Sequence, residues 1–171
     1  MAKALFITSK DIKRYSILSG NVDPDKFIYM VEIAQDTEVQ NYLGTQLLEK
    51  LQDLILAGTI GLPANAAYKT LLETYVKPMT IYWALVCYMP FAAYQVGAKG
   101  VFKGQSENAL TVDKDEVDYL VESYRTIAQF YTNNFTDFMV YNQTDYPEYN
   151  SNSEDDIYPD TSNADFGGWV L

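Results

Sequence analysis

Residues 39–55, VQNYLGTQLLEKLQDLI, decide how this chain folds. Apolar side chains fall at Val39, Leu43, Leu47, Leu48, Leu51, Leu54 and Ile55, mostly three or four apart, which is the helical period. Gly44 interrupts the stripe, and glycine in a helix interior costs about 1 kcal/mol against alanine. Two helices meeting at a corner remove the conflict. Gly44 then closes the first as a left-handed C-terminal cap, and Thr45 opens the second as its N-cap. The second helix, over 46–56, stops at Gly58.

Upstream, DPDKF (23–27) is a helix start, with Asp23 as cap, Pro24 in the first helical position and Asp25 at the positive helix end. That helix carries Phe27, Met30, Val31 and Ala34 on towards Leu43. Before it, KDIKRYSIL (10–18) reads as a short helix capped by Thr8 or Ser9 and ending at Ser19–Gly20. Residues 1–8 read as extended, with Leu5, Phe6 and Ile7 as an apolar patch.

Downstream, GTIGLP (58–63) is a loop, and a helix is expected from about 64 to 76. Lys77–Pro78 should interrupt it, because the residue before proline avoids the α region. A further helix runs from Pro78 to about 96, with Pro90 kinking or ending it. Residues 78–98 carry no charge and are flanked by Lys77 and Lys99, long enough to span a bilayer. Three tyrosines, a glutamine, a threonine and two prolines make the stretch a buried core helix instead. The glycine-rich 97–112 segment, GAKGVFKGQSENALTV, reads as a long projecting loop or loose β-hairpin, with Val101, Phe102 and Lys103 as its contact residues. DKDE (113–116) is a capping box, and the apolar stripe from Val117 to Met139 predicts a final helix to about residue 141. The expected fold is all-α: a small bundle of about five helices over 1–141, with the inserted loop or hairpin.

Residues 142–171 form a second region. They hold seven of the chain's 23 acids and no Lys or Arg, so as a free chain they could not build a core. Aromatic residues punctuate this extended acidic arm, and Tyr146, Tyr149, Tyr158, Phe166 and Trp169 are the expected anchors on a neighbouring subunit.

The 171-residue chain is 48% apolar, which suits one domain with a core, and its fifteen tyrosines suit half-wet surfaces as well as a core. A net charge of −11 opposes gripping nucleic acid but not enclosing it. With no histidine, the commonest general base and metal ligand is missing. Cys87, the single cysteine, has no internal disulfide partner, which fits folding inside a cell. MAKALFITSKDIKR has too short an apolar core for a signal peptide. No phosphate loop, dinucleotide fingerprint, nucleophile elbow or Cys–His pairing occurs. DKDEVD (113–118) and SEDD (153–156) lack the spacing of a calcium loop and read as a helix cap and solvated charge. The expectation is a protein that is not an enzyme and takes no cofactor or metal.

TSKDIKRYSIL (8–18) and DPDKFIYMVEIAQDTEVQNYLGTQLLEKL (23–51) carry a resemblance. The chain resembles the head–tail connector (adaptor) family of tailed bacteriophages, whose members open with a short helix containing a D-[IL]-K-like piece. A longer helix follows and ends in an [IV]-x-x-Y-L-G-like turn, here Val39, Tyr42, Leu43 and Gly44. Two central helices, a loop insertion and a long final helix complete the pattern over about residues 8–141. The abundance of Tyr, Asn and Asp is similar to the ring protein below the portal in crAss-like phages.

The resemblance implies a structural virion protein at the head–tail junction, made and assembled in the host bacterial cytoplasm. Such adaptors form a homo-oligomeric ring, usually of twelve copies, under the portal protein. They extend the DNA channel, through which DNA passes without specific binding, and offer a platform for the tail or further ring proteins. No membrane is involved and no catalytic residues are carried over. In that setting Tyr42, Leu43 and Gly44 set the angle of a wedge-like subunit. The alternative reading is a soluble, non-viral protein–protein binding or assembly module.

Overall fold

The computed structural model describes residues 3–18, 22–92, 94–97, 100–103 and 113–162. The fold is an all-α bundle. Helix α1 (Ser9–Arg14) starts on a capping box in which Thr8 and Asp11 satisfy each other's backbone N–H groups. It is shorter than the sequence suggests, ending at Arg14.

Asp23 caps a 3-10 turn, Pro24–Lys26, as expected. The following helical run is continuous to residue 43 but has three parts: α2 (Ile28–Ala34), a π turn (Gln35–Val39) and α3 (Gln40–Leu43). The π turn has a use. It sets the fully buried Gln35 so that its Oε1 accepts from the Phe6 N–H at 2.7 Å and its Nε2 donates to the Ala4 carbonyl at 3.1 Å. One side chain thereby satisfies the backbone of the extended N-terminal segment, whose Phe6 and Ile7 are buried.

Helix α4 (Thr45–Leu56) ends at Gly58, where φ is 67°. The Thr59 N–H reaches the Leu54 carbonyl and the Gly58 N–H the Ile55 carbonyl, which together make a Schellman motif.

A break was expected at Lys77–Pro78, and none occurs. Helix α5 (Ala66–Leu71) passes through a second π turn (Leu72–Val76) into α6 (Lys77–Tyr88). The Lys77 N–H bonds five residues back, to Leu72. This wider turn absorbs the proline, which brings no N–H and would otherwise crowd a carbonyl one turn earlier. Pro90 does end α6, in a 3-10 turn over Met89–Phe91.

Helix α6 is the buried centre of the bundle: Met79, Ile81, Trp83, Ala84, Leu85 and Val86 are all inside. This burial on several sides explains its long uncharged run. Among the described residues, no helix is long and apolar enough to cross a membrane. The long helix α7 (Lys114–Asn142) starts on the expected Asp113/Glu116 capping box and packs along α6. There the buried Trp83 indole donates to Thr132 Oγ1 at 3.0 Å.

Between α6 and α7 a hairpin is formed by β1 (Tyr94–Gly97) and β2 (Gly100–Lys103), with Gly97 opposite Gly100. It begins earlier than the projecting segment read from the sequence, which started at Gly97. Val101, Phe102 and Lys103 lie in β2, and 104–112 fall outside the described residues.

The acidic arm is not free of its own subunit between residues 143 and 162. Two 3-10 turns, Gln143–Asp145 and Pro147–Asn150, bring Tyr146 and Tyr149 onto the bundle, where both are buried. The sequence marked these two rings as anchors on a neighbouring subunit, whereas they are buried against the bundle of their own chain.

Candidate functional site

The corner between α3 and α4 is part of the stretch that carries the sequence resemblance, and the structure completes it with residues more than a hundred positions further on. Gly44 has φ 75° and ψ 164°. The positive φ was expected, but the ψ value is not that of a left-handed helical cap. It belongs to a region reserved for glycine, a stricter requirement. Leu43 is fully buried beneath the corner, and Tyr42 is half-buried. Burial, with Asp160 and Glu38 nearby, pushes the Tyr42 hydroxyl up from its ordinary pKa.

Thr45 is not the N-cap of α4. Gly44 occupies that position and has no side chain to offer, so the first N–H groups of α4 need acceptors from elsewhere. The arm provides them. The Thr45 N–H donates to the Ile157 carbonyl at 3.0 Å, and the Ile157 N–H returns a bond to Thr45 Oγ1 at 2.9 Å. The Gln46 N–H donates to Asn152 Oδ1 at 3.2 Å. On the other side of the corner, the Asp160 N–H caps the Asn41 carbonyl at 2.7 Å. Residues 152–160 are thus a strap that caps one helix at its start and the other at its end.

The strap's charge is placed to match. Asp156 Oδ2 accepts from the Ser153 N–H at 2.8 Å and from Gln46 Nε2 at 2.9 Å. Those bonds hold its carboxyl below the usual range, that from the Ser153 backbone foremost. It also lies at the positive end of α4.

A second anchor lies one turn upstream. The Tyr146 hydroxyl donates to the Ala67 carbonyl at 3.2 Å, and its ring meets Tyr68 edge-on at 5.5 Å. Tyr68 donates to Glu148 Oε2 at 2.6 Å, and Lys50 approaches Glu148 at 3.6 Å. Burial first, and the bond to Glu148 second, push the Tyr68 hydroxyl far above its ordinary value.

Of the five arm residues singled out from sequence, Tyr146 and Tyr149 face the home bundle. Tyr158 is exposed, and Phe166 and Trp169 fall outside the described residues. Sequence reasoning missed Asn152 and read Asp156, within SEDD, as solvated charge, whereas Asp156 accepts from Ser153 and Gln46 in the strap. The signal in the sequence was the Ile157–Tyr158–Pro159 step within an acidic, polar run.

Two further surfaces are distinct in character. Along α7, Tyr119, Phe130, Val140 and Tyr141 are exposed, with Tyr141 at 86%. Next to them, Tyr75 stacks on Phe138 at 4.3 Å and Tyr82 on Tyr131 at 5.4 Å. On α4 a groove of about 500 Å³ is rimmed by the carboxylates of Asp36, Glu49 and Asp53. Among the described residues, no group of three or more His, Cys, Asp or Glu is placed to hold a metal ion.

No curated protein and no solved structure matches the chain. A family model does, over residues 39–158, more than two thirds of the chain. The match opens on the helix that leads to Gly44 and closes on the strap that covers it, so the two ends of the matched stretch are the two parts of this site. The chain belongs to the Family of unknown function (DUF6712).

Proposed function

We propose that this protein is a head–tail connector of a tailed bacteriophage. It forms a ring under the portal, prolongs the DNA channel and offers the tail its docking platform. The observation that carries the reading is the corner. The stretch that resembles connectors folds into two helical runs meeting at a glycine-only turn, in an all-α chain whose hairpin precedes a long final helix. The surfaces support it as well. A closed ring needs two different faces on each subunit, and the chain has an aromatic face on α7 and an acidic groove on α4. The net charge of −11 suits a channel wall that repels phosphates and lets DNA slide.

The strap favours a second reading, a self-contained binding or assembly module, because the described arm is satisfied within its own subunit. Mass photometry of the full chain, alone and with a tailed-phage portal protein, separates the two. The connector reading expects a closed ring, of twelve copies if the resemblance carries over. A chain that stays monomeric at every concentration, with and without portal, overturns it.

A further inference from the structure

Helix α4 carries a pair of acids that its own subunit leaves unneutralised. Glu49 and Asp53 sit one helical turn apart, both exposed, a like-charge pair that weakens a helix. Neither has an ion-pair partner among the described residues. Lys3, on the rim of the same groove, is engaged by Asp36 and by Glu32, and Lys50 approaches Glu148. Leu56, 54% exposed, stands at the groove's edge. Gln52 lines it too and is 8% exposed, yet among the described residues its amide nitrogen has no acceptor. The groove therefore asks for positive charge, apolar cover and a hydrogen-bond acceptor.

Helix α1 offers all three. Lys10 and Arg14 also sit one turn apart, both exposed, on the side away from the buried Ile12. They too are a like-charge pair without an ion-pair partner among the described residues, and Arg14 lies over the Tyr15 ring at 5.5 Å. Asp11, between them, is committed to the Thr8 N–H and hydroxyl. Tyr15 and Ile17, both more than half exposed, follow the helix. The helix ends at Arg14, and the last carbonyls of a helix have no partner within it, which makes them the kind of acceptor that Gln52 lacks. Asp11 and Tyr15 line a cleft with Glu73 and Lys77 that shares no residue with the acidic groove, so α1 and the groove are different surfaces.

We propose that the acidic groove of one subunit receives α1 of a second copy, with Glu49 paired to Lys10 and Asp53 to Arg14. Both pairs span about 6 Å along their helix axes, so two helices lying side by side close both ion pairs at once. The same register carries one step further, because Ile17 follows Arg14 by three residues as Leu56 follows Asp53. The two exposed apolar side chains therefore cover each other beside the charges. This rests on the ring reading and names the contact that closes the ring, between two different surfaces as a heterologous interface requires.

The test is charge reversal in the full chain, read by mass photometry, with far-ultraviolet circular dichroism as the check on folding. One variant carries Glu49→Lys and Asp53→Lys, the other Lys10→Glu and Arg14→Glu. Each alone should need at least about tenfold more protein to assemble, because like charges now meet. Mixing the two should restore assembly, since in an alternating ring every groove finds an α1 of opposite charge, and so should the four-fold variant. A milder pair, Glu49→Gln with Asp53→Asn, keeps side-chain shape and should weaken the salt dependence of assembly. Where a reversal unfolds the chain, the milder pair decides. Rings that ignore both reversals, or reversals that neither mixing nor combination restores, overturn the contact between α4 and α1 and leave the ring reading standing. Unchanged salt dependence in the milder pair overturns the contact too. A wild-type chain that never assembles removes both.

Discussion

Pro159 lies so close to Gly44 that a Cβ at position 44 would stand 2.8 Å from its ring, with Asn152 Nδ2 at 3.0 Å. The strap is therefore fitted against the one corner residue without a side chain. Two requirements meet at Gly44: a backbone conformation reserved for glycine, and room for the strap that caps the helices on either side.

Gly44→Val should fail on both counts. The backbone term alone is about 1–3 kcal/mol, and the side chain must also displace Pro159. We expect that loss in a urea titration, together with faster proteolysis within 151–162. Wild-type stability with an intact strap would show that the corner tolerates a side chain.

Truncations should separate the arm's two attachments. Ending the chain at Asn142 removes Tyr146 and Tyr149, both buried. The loss should reach at least about 3 kcal/mol, the low end for deleting one buried aromatic side chain. Ending it at Asn150 keeps both rings and removes only the strap. The loss should then resemble that of a helix cap, about 0.5–2 kcal/mol. Equal stability of the two truncated chains would mean that the aromatic anchors carry no load.

The helices were legible because their signals are local. The Asp113 capping box, Asp23 ahead of Pro24, and Gly58 each act within a few residues of themselves. The corner was legible for the same reason, since Gly44 breaks an otherwise regular stripe. What stayed hidden depends on contacts distant in sequence. Thr45 looked like an N-cap because nothing nearby says that Ile157 and Asn152 will supply the acceptors. Pro78 looked like a break because a π turn leaves no mark in composition. The acidic groove gathers residues from α4, the helical run before Gly44 and the N-terminal segment, so no local signal marks Glu49 and Asp53 as sharing a surface with Asp36.

The two anchoring tyrosines should respond in opposite directions to loss of their hydroxyls. Among the described residues the Tyr149 hydroxyl is buried without a hydrogen-bond partner, whereas that of Tyr146 bonds to the Ala67 carbonyl. Tyr149→Phe should leave stability unchanged or raise it by up to about 1 kcal/mol, because an unpaired buried polar group is removed. Tyr146→Phe should cost about 0.5–1.5 kcal/mol, the net value of one hydrogen bond. Thermal unfolding of both variants decides this, and a larger loss at Tyr149 would reveal a partner for its hydroxyl.

The strap should also be sensitive to acid, and Asp156 sets the direction. Its carboxylate accepts from the Ser153 N–H and from Gln46, which holds its pKa in the folded chain below the unfolded value of about 3.9. A group with a depressed folded pKa contributes its stability above the unfolded value and loses it as pH falls through the folded one. The strap should therefore be unaffected between about pH 7 and pH 5 and loosen only below about pH 4. The Gln46 side-chain amide and the Thr45 backbone amide both report on it, so their NMR shifts should move together with a midpoint below about 3.9. Asp156→Asn should flatten that titration at the Gln46 side chain, since the carboxylate it donates to is gone, and should open the strap in part at neutral pH. A midpoint above the ordinary carboxylate value would reverse the sign and mean that the strap holds Asp156 in its protonated form.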